Sequence, residues 1–143
     1  VLDVASERVV TDVLIALVGT RRRIPAVISD ITATMEALDR DTIIVTGDAP
    51  GVDAHVRREC KRLGFRFIEC HVRQIDGEWA GRWAGPERNE IISRLAQRAI
   101  AWPASSRDTP EARKLSAGTW DCVEKFEARG KPVDARKDAW TPS

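Results

Sequence analysis

Apolar residues follow two alternating rhythms along this chain. Val13 to Thr20 (VLIALVGT) is a short apolar run rich in β-branched side chains and closed by Gly19. Such a run predicts a strand buried on both faces of a parallel sheet. Pro25 then opens a stretch in which Val27, Ile31, Met35 and Leu38 recur at helical spacing, the stripe of an amphipathic helix. The alternation repeats. Asp41 to Thr46 (DTIIVT) predicts a second strand, and Val52, Val56, Cys60 and Leu63 share a helix face that Gly64 ends. Phe65 to Val72 predicts a third strand. Gly85-Pro86 opens the next helix, with Pro86 at its first position and Ile91, Ile92 and Leu95 on its buried side. Ala99 to Pro103 predicts a fourth strand. Thr119 to Arg129 predicts a last helix with Trp120, Val123 and Phe126 inward, and Lys131-Pro132-Val133 begins a short final strand.

Strands and helices that alternate over short connections predict right-handed crossovers. The expected fold class is α/β: a Rossmann-like, three-layer domain with a mainly parallel sheet of about five strands and helices on both faces. The 143 residues suffice for one domain, with a body over about residues 13–133 and a mobile tail over 134–143 on which Trp140 is a candidate for docking. Ala104 to Ala117 is expected to be a long polar loop.

Composition narrows the function classes. With 43% hydrophobic and 31% charged residues, neither disorder nor membrane residence is expected. Val1 to Asp12 carries acids and does not read as a secretory leader. A net charge of +1 makes nucleic acid and anionic lipid unfavoured partners. Three scattered cysteines without a CxxC pair argue against disulfides or structural zinc, and point to reduced thiols in a cytoplasmic protein. The two histidines are far apart, so no metal site and no required cofactor are expected. A magnesium ion would arrive only with the phosphates of a ligand.

In a parallel sheet ligands bind beyond the carboxyl ends of the strands, where loops lead into helix starts. Four segments fall at that edge: Gly19-Thr20-Arg21-Arg22, Gly47 to Asp53, Gly85 to Asn89, and Gly118-Thr119. Glycine there admits a close backbone approach, and free N–H groups at helix starts attract anions. Glycines also serve tight turns, and none of these segments is a GxGxxG fingerprint or a Walker loop.

The run Val45-Thr46-Gly47-Asp48-Ala49-Pro50-Gly51-Val52-Asp53, with the later Ala84-Gly85-Pro86-Glu87-Arg88-Asn89, resembles the SLOG superfamily, and more narrowly its YpsA-related branch. The resemblance spans about residues 13–133. It implies a Rossmann-like domain that holds a nucleotide or nucleotide-derived small molecule as a sensor or sequestering module, and dimers are common among such proteins. The implied binding residues are Gly19, Thr20, Arg21, Arg22, Gly47, Asp48, Ala49, Gly51, Val52, Asp53, Trp79, Gly85, Arg88, Asn89, Gly118 and Thr119.

Each has a plainer alternative. Asp48 suits a ribose hydroxyl better than a bare phosphate, because like charges repel. Asp53 falls in a first helical turn, where an acid complements the helix dipole. One of Arg21, Arg22 and Arg23 can clamp a phosphate, although a run of three arginines also occurs on solvated surfaces. The stretch Arg57 to Arg62 reads as a solvated outer face, and His55 as partly exposed. Trp79 can stack on a base or pack at an interface.

By resemblance to the lonely-guy phosphoribohydrolases of the same superfamily, Arg88 matches an arginine used in cleaving an N-glycosidic bond. Those enzymes place a glutamate where this chain has Cys122, and Asp121 or Glu124 could take over only with a backbone shift. A hydrolase or transferase acting on nucleoside monophosphates is therefore the second reading. Binding of single-stranded nucleic acid, as in the DNA-processing-protein-A-like members, is a distant third.

Overall fold

The computed structural model describes residues 13–137, so the readings placed on Val1–Asp12 and on Trp140 lie outside the described residues. The chain runs β1 (Leu14–Gly19), α1 (Pro25–Ala37), β2 (Ile43–Gly47), α2 (Val52–Leu63) and β3 (Arg66–Cys70). A small hairpin follows, β4 (Gln74–Ile75) and β5 (Glu78–Trp79). The remaining elements are α3 (Ala84–Leu95), β6 (Arg98–Trp102), α4 (Pro110–Lys114), α5 (Ala117–Ala128) and β7 (Val133–Ala135).

Five strands form one sheet in the order β3-β2-β1-β6-β7, every neighbouring pair parallel, and β4-β5 stands apart as an antiparallel pair. The expected Rossmann-like architecture is therefore present. Strand order reverses between β1 and β6, and a crevice opens at such a switch point.

Side-chain alternation along the strands builds two cores. Ile15 and Leu17 of β1 join Ile44, Ile100 and Trp102 against Val27, Ile31 and Met35 of α1 and Val52, Val56 and Cys60 of α2. The opposite sheet face carries Ala16, Val18, Val45, Ala99 and Ala101, against Ile92 of α3 and Trp120, Val123 and Phe126 of α5. Three alanines on that face leave room for the two aromatic rings of α5.

Several expectations are corrected. Helix α3 begins at Ala84 rather than Pro86, and Ile91 and Leu95 stay 43% and 41% exposed. Its inward side is instead Ala84, Gly85, Asn89, Ile92 and Ser93. The polar members are satisfied there: Ser93 Oγ donates to Glu90 O at 2.8 Å and accepts from Arg129 Nε at 3.0 Å. His55 is buried, with Nε2 2.9 Å from Thr32 Oγ1, because α2 packs this side of itself on α1.

The stretch Arg57 to Arg62 is not simply solvated. Arg57 folds back onto the loop after β2, and Glu59 is buried and held by Arg62. The polar loop over 104–117 contains α4, whose Thr109 caps the Ala112 N–H. The ordered body also continues past Val133: β7 reaches Ala135, and Arg136 pairs with Asp30 of α1 at 3.0 Å.

At Gly51 both the backbone conformation and the surrounding space demand glycine. Gly51 sits at φ 78°, and a Cβ there would lie 2.5 Å from the carbonyl oxygens of Thr20 and Arg21. Gly118, by contrast, has open space where a Cβ would go. Gly51→Ala is expected to lower stability by about 1–3 kcal/mol, whereas Gly118→Ala changes it by less than about 1 kcal/mol. Urea unfolding of the two variants checks this, and equal effects would contradict it.

Candidate functional site

The crevice is built by locking two loops together. The Thr20 N–H donates to Trp102 O at 2.9 Å, and Thr20 O accepts the Val52 N–H at 3.0 Å. A Cβ on Gly19 would lie 2.7 Å from both Trp102 O and Val52 Cγ2, so only glycine lets β1, β6 and α2 meet so closely. Thr20 Oγ1 then accepts the Arg22 N–H at 3.1 Å, turning the chain so that Arg21 and Arg22 reach the crevice. Arg57 Nη1 donates to Gly47 O at 2.9 Å and to Ala49 O at 3.3 Å, which satisfies carbonyls of the second loop.

The resulting cleft has a volume of about 640 Å³, within the range of small-molecule sites. Of the expected binding residues, Gly19, Thr20, Arg21, Arg22, Ala49, Asp53, Trp79, Gly85, Arg88, Asn89, Gly118 and Thr119 line it, as does Asp121. Gly47, Asp48, Gly51 and Val52 do not. They are framework: Gly51 and Val52 join the loops, and a Cβ on Gly47 would lie 2.5 Å from Asp53 Oδ2. Sequence reasoning missed Arg113, Lys114, Leu115, Ser116 and Ala117, which line the cleft from α4 and its junction with α5. The proline and threonine at Thr109-Pro110, a helix-start signal, mark the element that carries them.

Asp48 is not turned to the ligand space as a ribose partner. Its Oδ2 accepts the Val72 N–H at 3.0 Å, and its Oδ1 accepts from Arg88 Nη1 at 2.8 Å. Burial raises this carboxyl, but the Val72 N–H and Arg88 outweigh it and hold it below its usual range. Arg88 is thereby fixed at the cleft wall. Its Nε is buried and has no hydrogen-bond partner, an unusual state for a charged donor.

Asp53 is 4% exposed. Burial pushes its carboxyl up to about 6, against the pull of Arg88, the Ala49 N–H and Arg57. Its Oδ2 accepts that N–H at 3.2 Å, and its Oδ1 lies 3.4 Å from Thr46 Oγ1, whose stronger bond goes to Leu17 O at 2.7 Å. Asp53 is thus a loop brace as well as a wall of the cleft.

Asn89 Nδ2 donates to Gly118 O at 3.2 Å and to Asp121 Oδ2 at 2.9 Å, tying the start of α3 to the start of α5. Asp121 is further engaged by Lys125 Nζ at 2.6 Å. Cys122 lies on the cleft wall, but burial pushes its thiol up to about 12, so it is no nucleophile. The first turn of α5 holds no acid to neutralise its N–H groups. Across from it, Trp79 is 49% exposed; its ring covers Gly85, where a Cβ would lie 3.5 Å from the ring, and the Arg21 guanidinium stands 6.0 Å from the ring centroid. Among the described residues no cluster of three His, Cys, Asp or Glu side chains could hold a metal, and no helix is long and apolar enough to cross a membrane.

The raised Asp53 carboxyl has a signed consequence. Between about 3.8 and about 6 the folded chain keeps a proton that the unfolded chain has released, so stability falls as pH rises through that window. Asp53→Asn removes this dependence while keeping an oxygen for the Ala49 N–H. Relative to wild type, the variant should gain on the order of 3 kcal/mol between about pH 4 and pH 7.5. Denaturant unfolding across pH measures it, and parallel stability curves for the two proteins would contradict it.

No family model matches this chain, and no curated protein matches it either. Among solved structures, it is similar to the X-ray structure of DNA processing protein A (DprA) from Streptococcus pneumoniae, with a TM-score of 0.71 and 18% sequence identity. The likeness covers 87% of this chain and 50% of that one, so the chain spans about half the length of the structure it matches. At this identity the likeness is one of fold. It agrees with the five-stranded parallel sheet flanked by helices. The shared architecture is a Rossmann-like α/β fold around a parallel sheet.

Proposed function

We propose that the cleft binds a nucleotide or nucleotide-derived small molecule, as a sensor or sequestering module. The observation that carries this reading is the convergence, in one crevice, of Arg21, Arg22 and Lys114 with the acid-free first turn of α5 at Gly118-Thr119. Cations and helix N–H groups together favour a phosphate. The half-exposed Trp79 ring adds a stacking face. A magnesium ion would come with the phosphates, since they supply the oxygen ligands it prefers. A second copy of the chain is the expected protein partner, with the exposed Ile91 and Leu95 of α3 available to it.

A second reading, hydrolysis or transfer at an N-glycosidic bond, is favoured by one observation: Asp53, a cleft-wall carboxyl near Arg88, keeps its proton up to about pH 6, well above the ordinary carboxylate range. Asp121, one substitute considered from sequence, is already engaged by Asn89 and Lys125. Release of free base from nucleoside monophosphates, lost in Arg88→Ala, would establish turnover. Binding without release supports the sensor reading.

Thermal melting in the presence of nucleotides tests the binding claim. A phosphate-bearing nucleotide at about 100 times its Kd should stabilise the fold by about 2.7 kcal/mol, and the matching nucleoside by far less. Replacing both Arg21 and Arg22 by alanine should weaken nucleotide binding about tenfold or more. Equal shifts with nucleoside and nucleotide would contradict a phosphate site.

A further inference from the structure

Leu115 is 59% exposed, yet it lines the cleft between Lys114 and the N-cap Ser116 of α5. The cations Arg21, Arg22 and Lys114 line the same cleft, and its other apolar members, such as Val18 and Ile92, are buried in the wall. Its neighbour Ser116 is buried and accepts the Ala104 N–H at 2.7 Å, which fixes the chain at this point. Trp79 lines the same cleft from the β4-β5 hairpin and is also about half exposed. Its ring is seated: Gly85 lies beneath it without a side chain, and Ala80 N donates to Arg73 O at 2.9 Å across the hairpin ends. The hairpin is further held to α3 by Arg73 and Glu87 at 2.9 Å. Two large apolar side chains from separate, anchored elements thus line one cavity and remain half exposed, whereas the cavity's other large apolar residue, Ile92, is buried.

We propose that Trp79 and Leu115 form a base clamp: the tryptophan ring stacks on a nucleobase and the leucine covers its other face. This rests on the nucleotide reading above and deepens it. The phosphate falls to the arginines and the start of α5, while the base is held by area and stacking. Stacking is tolerant of base identity because every base has a π-face. Affinity then follows the area of the base, with purine nucleotides bound most tightly, pyrimidine nucleotides less so, and sugar phosphates without a base least.

Calorimetric titration with adenosine 5′-monophosphate, cytidine 5′-monophosphate and ribose 5-phosphate tests the clamp. Wild type should bind the adenine nucleotide at least about fivefold more tightly than ribose 5-phosphate. Leu115→Ser should cut that ratio by about threefold, and Leu115→Met, which restores an apolar cover, should recover it. Leu115 is exposed, so the variants are expected to fold, and a melting curve verifies this. A ratio unchanged in Leu115→Ser overturns the clamp and leaves the nucleotide reading standing. Equal binding of ribose 5-phosphate and the adenine nucleotide by wild type overturns the clamp while retaining a phosphate site. Failure of all three ligands to bind overturns both.

Discussion

Everything at the site depends on how closely β1, β6 and the start of α2 approach one another. Thr20 is hydrogen-bonded on one side to Trp102 O and on the other to the Val52 N–H. Neither bond could form if Gly19 or Gly51 carried a side chain, because the space a Cβ needs is filled by backbone carbonyls and Val52. The crevice at the switch point of the sheet is therefore a by-product of a packing constraint. The reversal of strand order between β1 and β6 opens it, and the loop-to-loop bonds keep its rim rigid. A rigid rim presents donors without an ordering cost at the moment of binding.

A polar network beneath the rim turns this scaffold into a charged wall. Asp48 is held ionised by the Val72 N–H and Arg88, while Asp53, deeper and drier, keeps its proton to about 6. Two carboxylates close in sequence thus differ because one is paired and the other mostly desolvated. Arg88 is drawn toward Asp48, Arg57 toward the carbonyls of Gly47 and Ala49, and Lys125 toward Asp121. Arg21, Arg22 and Lys114 remain to face the cavity, which gives the cleft its cationic character.

Much of this was legible in the sequence. The uninterrupted apolar runs marked the parallel strands, since a strand covered on both faces has no polar alternation. Glycines at strand ends marked the rim, although the sequence did not separate Gly51, which the backbone requires, from Gly118, which it does not. Asp48 was legible as a site residue but not as framework, because its partners Val72 and Arg88 lie 24 and 40 residues away. The inward face of helix α3 was read only in part: Ile92 is core as expected, but Ile91 and Leu95 stay exposed, and tertiary hydrogen bonds bury Asn89 and Ser93 instead. Residues 110–115 looked like a polar loop because α4 is only five residues long and buries none of them fully. Their role comes from position beside the cleft, and a short element without a buried stripe leaves no periodic trace.

The central claim is that a nucleotide-type ligand occupies the switch-point cleft. Backbone amide chemical shifts, followed by NMR during titration with adenosine 5′-monophosphate, test it most directly. The account predicts saturable shifts shared by Thr20 to Arg22, Gly85 with Arg88 and Asn89, and Gly118-Thr119, with the outer faces of α1 and α2 unmoved. Shifts confined to those outer faces, or no saturable change anywhere, would contradict it.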